Sequence, residues 1–166
     1  MSHKTKSLPP VRRLVTGHRN GRATCISDAQ YETNLIPSGD AEMALIWTAP
    51  DLPVDNNDSV DGRERDAGVT LKGGSVIRVV DMLPGAASPM HRTNSLDYGI
   101  VMSGQLQLEL DDGEIHSLKP TDIVVQRGTI HRWVNPSDSE TCRIVFVLTE
   151  ATAAIVDGAP LEEVHP

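Results

Sequence analysis

The sequence has few aromatic residues: two Trp, two Tyr and one Phe among 166 residues. The position of each is therefore informative. Cysteine is also scarce. Cys25 and Cys142 form no Cys-x-x-Cys and no paired spacing, which excludes a disulfide framework and fits a reducing, cytoplasmic compartment. Positive charge is in deficit, with 15 Lys and Arg against 23 Asp and Glu, a net charge of −8 and a pI of about 5.1. That balance argues against a nucleic-acid surface. No apolar run approaches the roughly 18 residues of a membrane span. The first ten residues, MSHKTKSLPP, lack the apolar segment of a secretory signal and read as a disordered leader. Residues 11–166 have the length of one domain. No repeat or low-complexity segment is visible, and helical periodicity is almost missing.

Thirteen glycines and eleven prolines punctuate short apolar runs, the composition of an all-β domain. Val11–Thr16 and Ala23–Ser27 read as strands about an Asn20-Gly21 turn, a strong hairpin signal. Residues 28–42 read as irregular. Met43–Thr48 is a continuous apolar run and so a strand covered on both faces. Residues 50–74 read as a long surface loop with room for one helical turn, a length common in lids and mobile segments. From Ser75 the strands become regular: SVIRVVDML, then Asp97–Met102, then Gln105–Leu110. In the last, Leu106, Leu108 and Leu110 alternate with Gln105, Gln107 and Glu109, as in a half-buried antiparallel strand. Asp111-Asp112-Gly113 turns the chain into Glu114–Leu118. Asp122–Gln126, His131–Asn135 and Arg143–Leu148 follow, and Ala151–Val156 is read as a helical turn. Nine or ten strands at this spacing predict a sandwich or a jelly-roll barrel.

Two motifs stand out. The first runs Gly85, five residues, His91-Arg92-Thr93, three residues, Asp97, six residues, Gly104; the second is Gly128-Thr129-Ile130-His131 followed by Asn135. Together with the hairpin between them they resemble the paired motifs of a small single-domain cupin over residues 75–148. The resemblance implies an all-β double-stranded β-helix, a jelly-roll barrel with extra N-terminal strands and a long loop. HRTNSLDYG with QRGTIHRWVN resembles a microbial and fungal subgroup whose members often sit near secondary-metabolite pathways. It also implies an inward-facing site at His91, Asp97 and His131, and a homodimer formed through the apolar strands and the N-terminal arm.

The resemblance makes these three residues candidate metal ligands, a two-His, one-carboxylate set that suits iron, zinc or manganese. Two departures weaken that set. Thr93 stands where the family has a second His, and Asp97 replaces a Glu, about 1.5 Å shorter in reach. The site is therefore expected to hold one divalent metal or none. Without a metal, His91, His131 and Asp97 still form an acid–base group. Thr93, Trp133, Met90 and Arg127 are candidate substrate contacts, with Arg127 able to clamp a carboxylate. The expected function is lyase or isomerase chemistry (dehydration, decarboxylation or cyclisation) on a small carbonyl or carboxylic metabolite, such as a polyketide. The alternatives are a non-haem iron dioxygenase and a binding protein without turnover. A small-molecule substrate is expected, and neither a nucleic acid nor a membrane.

Overall fold

A computed structural model describes residues 7–165. The first strands, β1 (Val11–Arg19) and β2 (Arg22–Tyr31), form a hairpin. Asn20 and Gly21 both take positive φ, 51° and 71°, as a tight turn between twisted strands requires. β2 runs further than its sequence suggested. It is followed by the short β3 (Asn34–Leu35) and by β4 (Ala41–Ala49), so residues 28–42 are more regular than expected. The long loop contains one 3-10 turn, Gly62–Glu64. Then come β5 (Ser75–Met82), β6 (Ser95–Ser103), β7 (Leu106–Glu109) and β8 (Ile115–Leu118). β9 (Ile123–Arg127), β10 (Arg132–Val134) and β11 (Cys142–Glu150) complete the barrel. The expected helical turn at Ala151–Val156 is instead extended chain leading into the hairpin of β12 (Ile155–Val156) and β13 (Ala159–Pro160). Of the leader, residues 1–6 lie outside the described residues, and the Pro9 carbonyl accepts a bond of 2.8 Å from Arg143. Among the described residues no helix is long and apolar enough to cross a membrane.

A six-stranded sheet runs β3-β4-β5-β11-β6-β9, and a three-stranded sheet runs β10-β7-β8. Late β11 lies between β5 and β6 and is antiparallel to both. The core joins both sheets: Met82, Val101 and Ile144 come from the larger, and Leu106, Leu108 and Trp133 from the smaller. Leu106 and Leu108 are buried, as their alternation with polar neighbours predicts. Along β6 the rule is equally clear, since Ser95, Asp97, Gly99 and Val101 are buried while Tyr98 and Met102 are exposed.

β5 is covered on both faces. Asp81, only 1% exposed, lies on the face away from the cavity. Its cross-strand partner Arg143 grips it through two bonds of 2.7 Å, and Thr33 donates a third of 2.9 Å. Removing one member of such a pair strands a buried charge. Arg143→Met is therefore expected to cost about 3 kcal/mol in urea denaturation, and the double variant with Asp81→Leu to regain most of it.

Candidate functional site

The chain from Gly85 to Arg92 lies antiparallel to the second motif. His91 N–H donates to His131 O at 2.8 Å, and His131 N–H returns a bond to His91 O at 3.0 Å. This pairing sets the two rings side by side, with centroids 4.2 Å apart and planes tilted by 51°. Each ring is held in the same way. His91 Nδ1 lies 2.9 Å from the carbonyl of Pro89, and His131 Nδ1 lies 2.9 Å from that of Thr129. A carbonyl only accepts, so Nδ1 carries the proton in both neutral rings and Nε2 keeps its lone pair. Trp133 presents an edge contact to His131 at 5.4 Å, and Phe146 packs on Trp133 at 5.3 Å. Phe146 has room because residue 99 is glycine: a Cβ there would lie 2.9 Å from its ring.

These side chains border a cavity of about 420 Å³. Of the expected site residues, His91, Thr93, Asp97, His131 and Trp133 line it together. Met90 and Arg127 do not. Met90 is absent from the cavity wall although its neighbours Pro89 and His91 belong to it. On β9 the inward residue is Gln126, buried and donating to the Thr129 hydroxyl, whereas Arg127 is exposed with Ile123 and Val125. The outward Arg92 pairs its backbone with Val164 and bonds the carbonyl of Glu162 at 3.3 Å. That bond ties the C-terminal segment across the first motif.

Asp97 is 6% exposed, and its Oδ1 has no hydrogen-bond partner. Burial pushes its carboxyl above the usual range, against the pull of Ser95 and of His91. Burial also pushes His131 down to about 4; the Thr129 carbonyl opposes this and His91 adds to it. The cavity thus favours the neutral form of both groups.

Arg78 was not anticipated from sequence. It sits on β5 with Val80 and Met82 on the cavity face. The long loop also contributes, through Ala67, Gly68 and Val69. The one available sequence signal was a lone cation inside a mostly apolar strand, SVIRVVDM.

A divalent cation would find two suitable nitrogens, the Nε2 atoms of His91 and His131. Thr93 does not supply a third donor, because its hydroxyl is engaged with Ser95 Oγ at 2.8 Å. Among the described residues no three His, Cys, Asp or Glu side chains gather closely enough to hold a metal. As they stand, these residues do not fit a three-ligand centre.

The family profile "Cupin domain" matches residues 78–148. The chain is also 36% identical, over 96% of its length and 82% of the relative's, to the cupin-domain-containing oxidoreductase fogC of Aspergillus ruber. The chain belongs to the cupin family. A second relative, phomopsin biosynthesis cluster protein C' of Diaporthe leptostromiformis, is 52% identical over 55% of this cupin and 48% of its own length. This cupin thus spans about half of that relative. Among solved structures, a putative ethanolamine utilization protein Q from Salmonella typhimurium superposes with a TM-score of 0.53 at 14% identity, covering 88% of this chain and 99% of that one. That likeness concerns the fold.

Between pH 6.5 and about 4 the unfolded cupin binds a proton at His131 that the native protein refuses. The His131 contribution to stability is therefore lost as pH drops through that window, and no more of it is lost below. The full contribution is about 3 kcal/mol. Chemical denaturation of wild type and His131→Gln between pH 7 and pH 4 should show the slope reduced in the variant; parallel curves would contradict a neutral buried ring.

Proposed function

We propose that this cupin is an acid–base catalyst, a lyase or isomerase, acting on a small carbonyl compound with a largely apolar body. The observation that carries this reading is the pair of imidazoles with free Nε2 atoms beside a buried, partnerless carboxyl oxygen. His91, the more accessible ring, is assigned as the base. Its Nε2 takes a proton from the carbon next to the carbonyl. The C–H electron pair forms a C=C bond, the carbonyl π pair moves onto oxygen, and the Asp97 carboxyl, in the protonated form that its burial favours, hydrogen-bonds to or protonates that oxygen. His131, neutral near pH 7, accepts a hydrogen bond from a substrate hydroxyl and orients it. Return of the proton at another carbon isomerises the substrate, and loss of a leaving group from the enol makes the reaction a lyase step. A charge on His91, whose ring centroid lies 4.2 Å away, further disfavours protonation of His131. The name of the Diaporthe relative supports a secondary metabolite as substrate.

The test is deuterium wash-in at the carbon next to the carbonyl of benzylacetone, a neutral aryl ketone, followed by NMR. Exchange above background is expected with wild type, and at least about a hundredfold less with His91→Ala. Equal exchange in the two proteins would remove the reading. The word oxidoreductase in the Aspergillus relative's name favours a second reading, redox chemistry, of which the dioxygenase expected from sequence as an alternative is one form. Elemental analysis of protein purified without chelators, beside His91→Ala, separates the two. The acid–base reading expects substoichiometric metal in both. One transition metal per chain, lost in the variant and accompanied by oxygen uptake, would support the dioxygenase.

We further propose a homodimer. Tyr98, Met102, Ile123 and Val125 are exposed on the outer face of β6 and β9, and Tyr98 lies directly opposite Val125. Light scattering should give twice the chain mass, and Val125→Lys should give the monomer.

A further inference from the structure

We propose that Arg78 is the anchor for a carboxylate, and that the ligand of this cavity is an organic acid whose apolar body lies against Phe146 and Trp133. The proposal rests on the same cavity as the acid–base reading and narrows its substrate class. The argument starts from how this chain treats its other arginines. Arg13, Arg132 and Arg143 reach partly or fully buried positions, and each meets a carboxylate, of Asp61, Glu109 and Asp81 respectively, at 2.6 to 2.7 Å. Arg63 and Arg92, also partly buried, bond the backbone carbonyls of Leu45 and Glu162 instead, but neither lines the cavity as Arg78 does. Arg78 meets none among the described residues. Its Nη2 donates to the carbonyls of Gly68 and Val69, its Nη1 approaches the weakly accepting Met43 sulfur at 3.5 Å, and its buried Nε has no partner. Of the two acidic side chains lining the cavity, Asp40 is engaged by the Ser38 hydroxyl and Asp97 stands two strands away from Arg78. Carbonyls and a thioether disperse little of a guanidinium's charge, and burial with nothing to offset it lowers the Arg78 pKa. A carboxylate entering the cavity would supply the missing charge and a planar acceptor that a guanidinium matches.

Strand register places this anchor usefully. Phe146 of β11 stands opposite both Arg78 on β5 and Gly99 on β6, and the next inward row is Val76, Leu148 and Asp97. Arg78 and Asp97 are thus two strands and one row apart, about 12 Å along the sheet, with the Phe146 ring between them and only a glycine beyond it. An acid held at Arg78 would lie across that ring with its far end towards Asp97. The apolar side chains around the cavity, among them Val80, Met82 and Leu148, suit a hydrocarbon body.

The experiment compares phenylpropanoate with its uncharged amide, phenylpropanamide, by calorimetry or NMR titration at pH 8. Wild type should bind the acid roughly ten- to a hundredfold more tightly than the amide. Arg78→Met should abolish that preference while leaving amide binding in place, and Arg78→Lys should keep part of it. Arg78→Gln, which can still donate to the loop carbonyls, separates loss of charge from loss of the loop tie: it too should lose the preference. His91→Gln should retain it, which assigns the effect to Arg78 rather than to an imidazolium. No preference for the acid in wild type, including no binding of either compound, overturns the proposal. So does a preference that survives in both Arg78→Met and Arg78→Gln. The readout is binding, so it stands or falls separately from proton exchange at His91.

Discussion

Two backbone hydrogen bonds between His91 and His131 hold the site together. They close an antiparallel pair between segments forty residues apart, and everything polar in the cavity is placed relative to them. The first motif alone would put one imidazole on a loop. Paired with the second, it gives two neighbouring rings held in the same way, each tied through Nδ1 to the carbonyl two residues earlier in its own segment. Such local ties fix the tautomer without using any of the cavity's limited room. The hairpin of β7 and β8 matters for the same reason, since β10 is laid along β7 and carries Trp133 inward beside His131.

The barrel imposes a second rule through strand alternation. Along β5, β6 and β11 every other side chain faces the interior. Each inward polar group must then find a partner or remain exposed to ligand. Thr93 and Ser95 satisfy one another, and Gln126 finds Thr129. Asp97 Oδ1 and Arg78 Nε do not find such partners. Natural chains leave few buried polar atoms unsatisfied, and here two of the exceptions face the same cavity. The burial that raises Asp97 and lowers His131 is the same that leaves Arg78 without an opposite charge.

Much of this was legible in sequence, for identifiable reasons. Leu106 and Leu108 declared their face through strict alternation, and Asn20-Gly21 declared the first turn. His91, Thr93, Asp97, His131 and Trp133 were readable as one group because spacing and period agree across both motifs. Arg127 was misplaced because it sits where β9 ends, and a one-residue shift moves a side chain to the opposite face. Arg78 escaped because SVIRVVDM is buried on both faces, so period carries no information about which side meets the cavity. The extended tail at Ala151–Val156 was taken for a helical turn because Ala-Thr-Ala-Ala favours one locally, while the backbone bond of Ala151 to Asn94 and the β12–β13 hairpin prevail in the folded chain. The contribution of Ala67–Val69 was invisible because nothing in that stretch marks it as a wall.

That wall is tied down twice. Arg13, 5% exposed and lying over the rings of Tyr31 and Trp47, binds Asp61 from the side of the N-terminal hairpin. Arg78 holds the carbonyls of Gly68 and Val69 from inside. The twenty-odd residues between β4 and β5 therefore behave as short spans between fixed posts, each with a small closure entropy. The span across the cavity belongs to neither sheet. Evolution can exchange it, lengthening or recolouring the few residues around Ala67, without disturbing the strands that position the imidazoles. A lineage of such chains could diversify the molecules it accepts while its proton-handling centre stays the same.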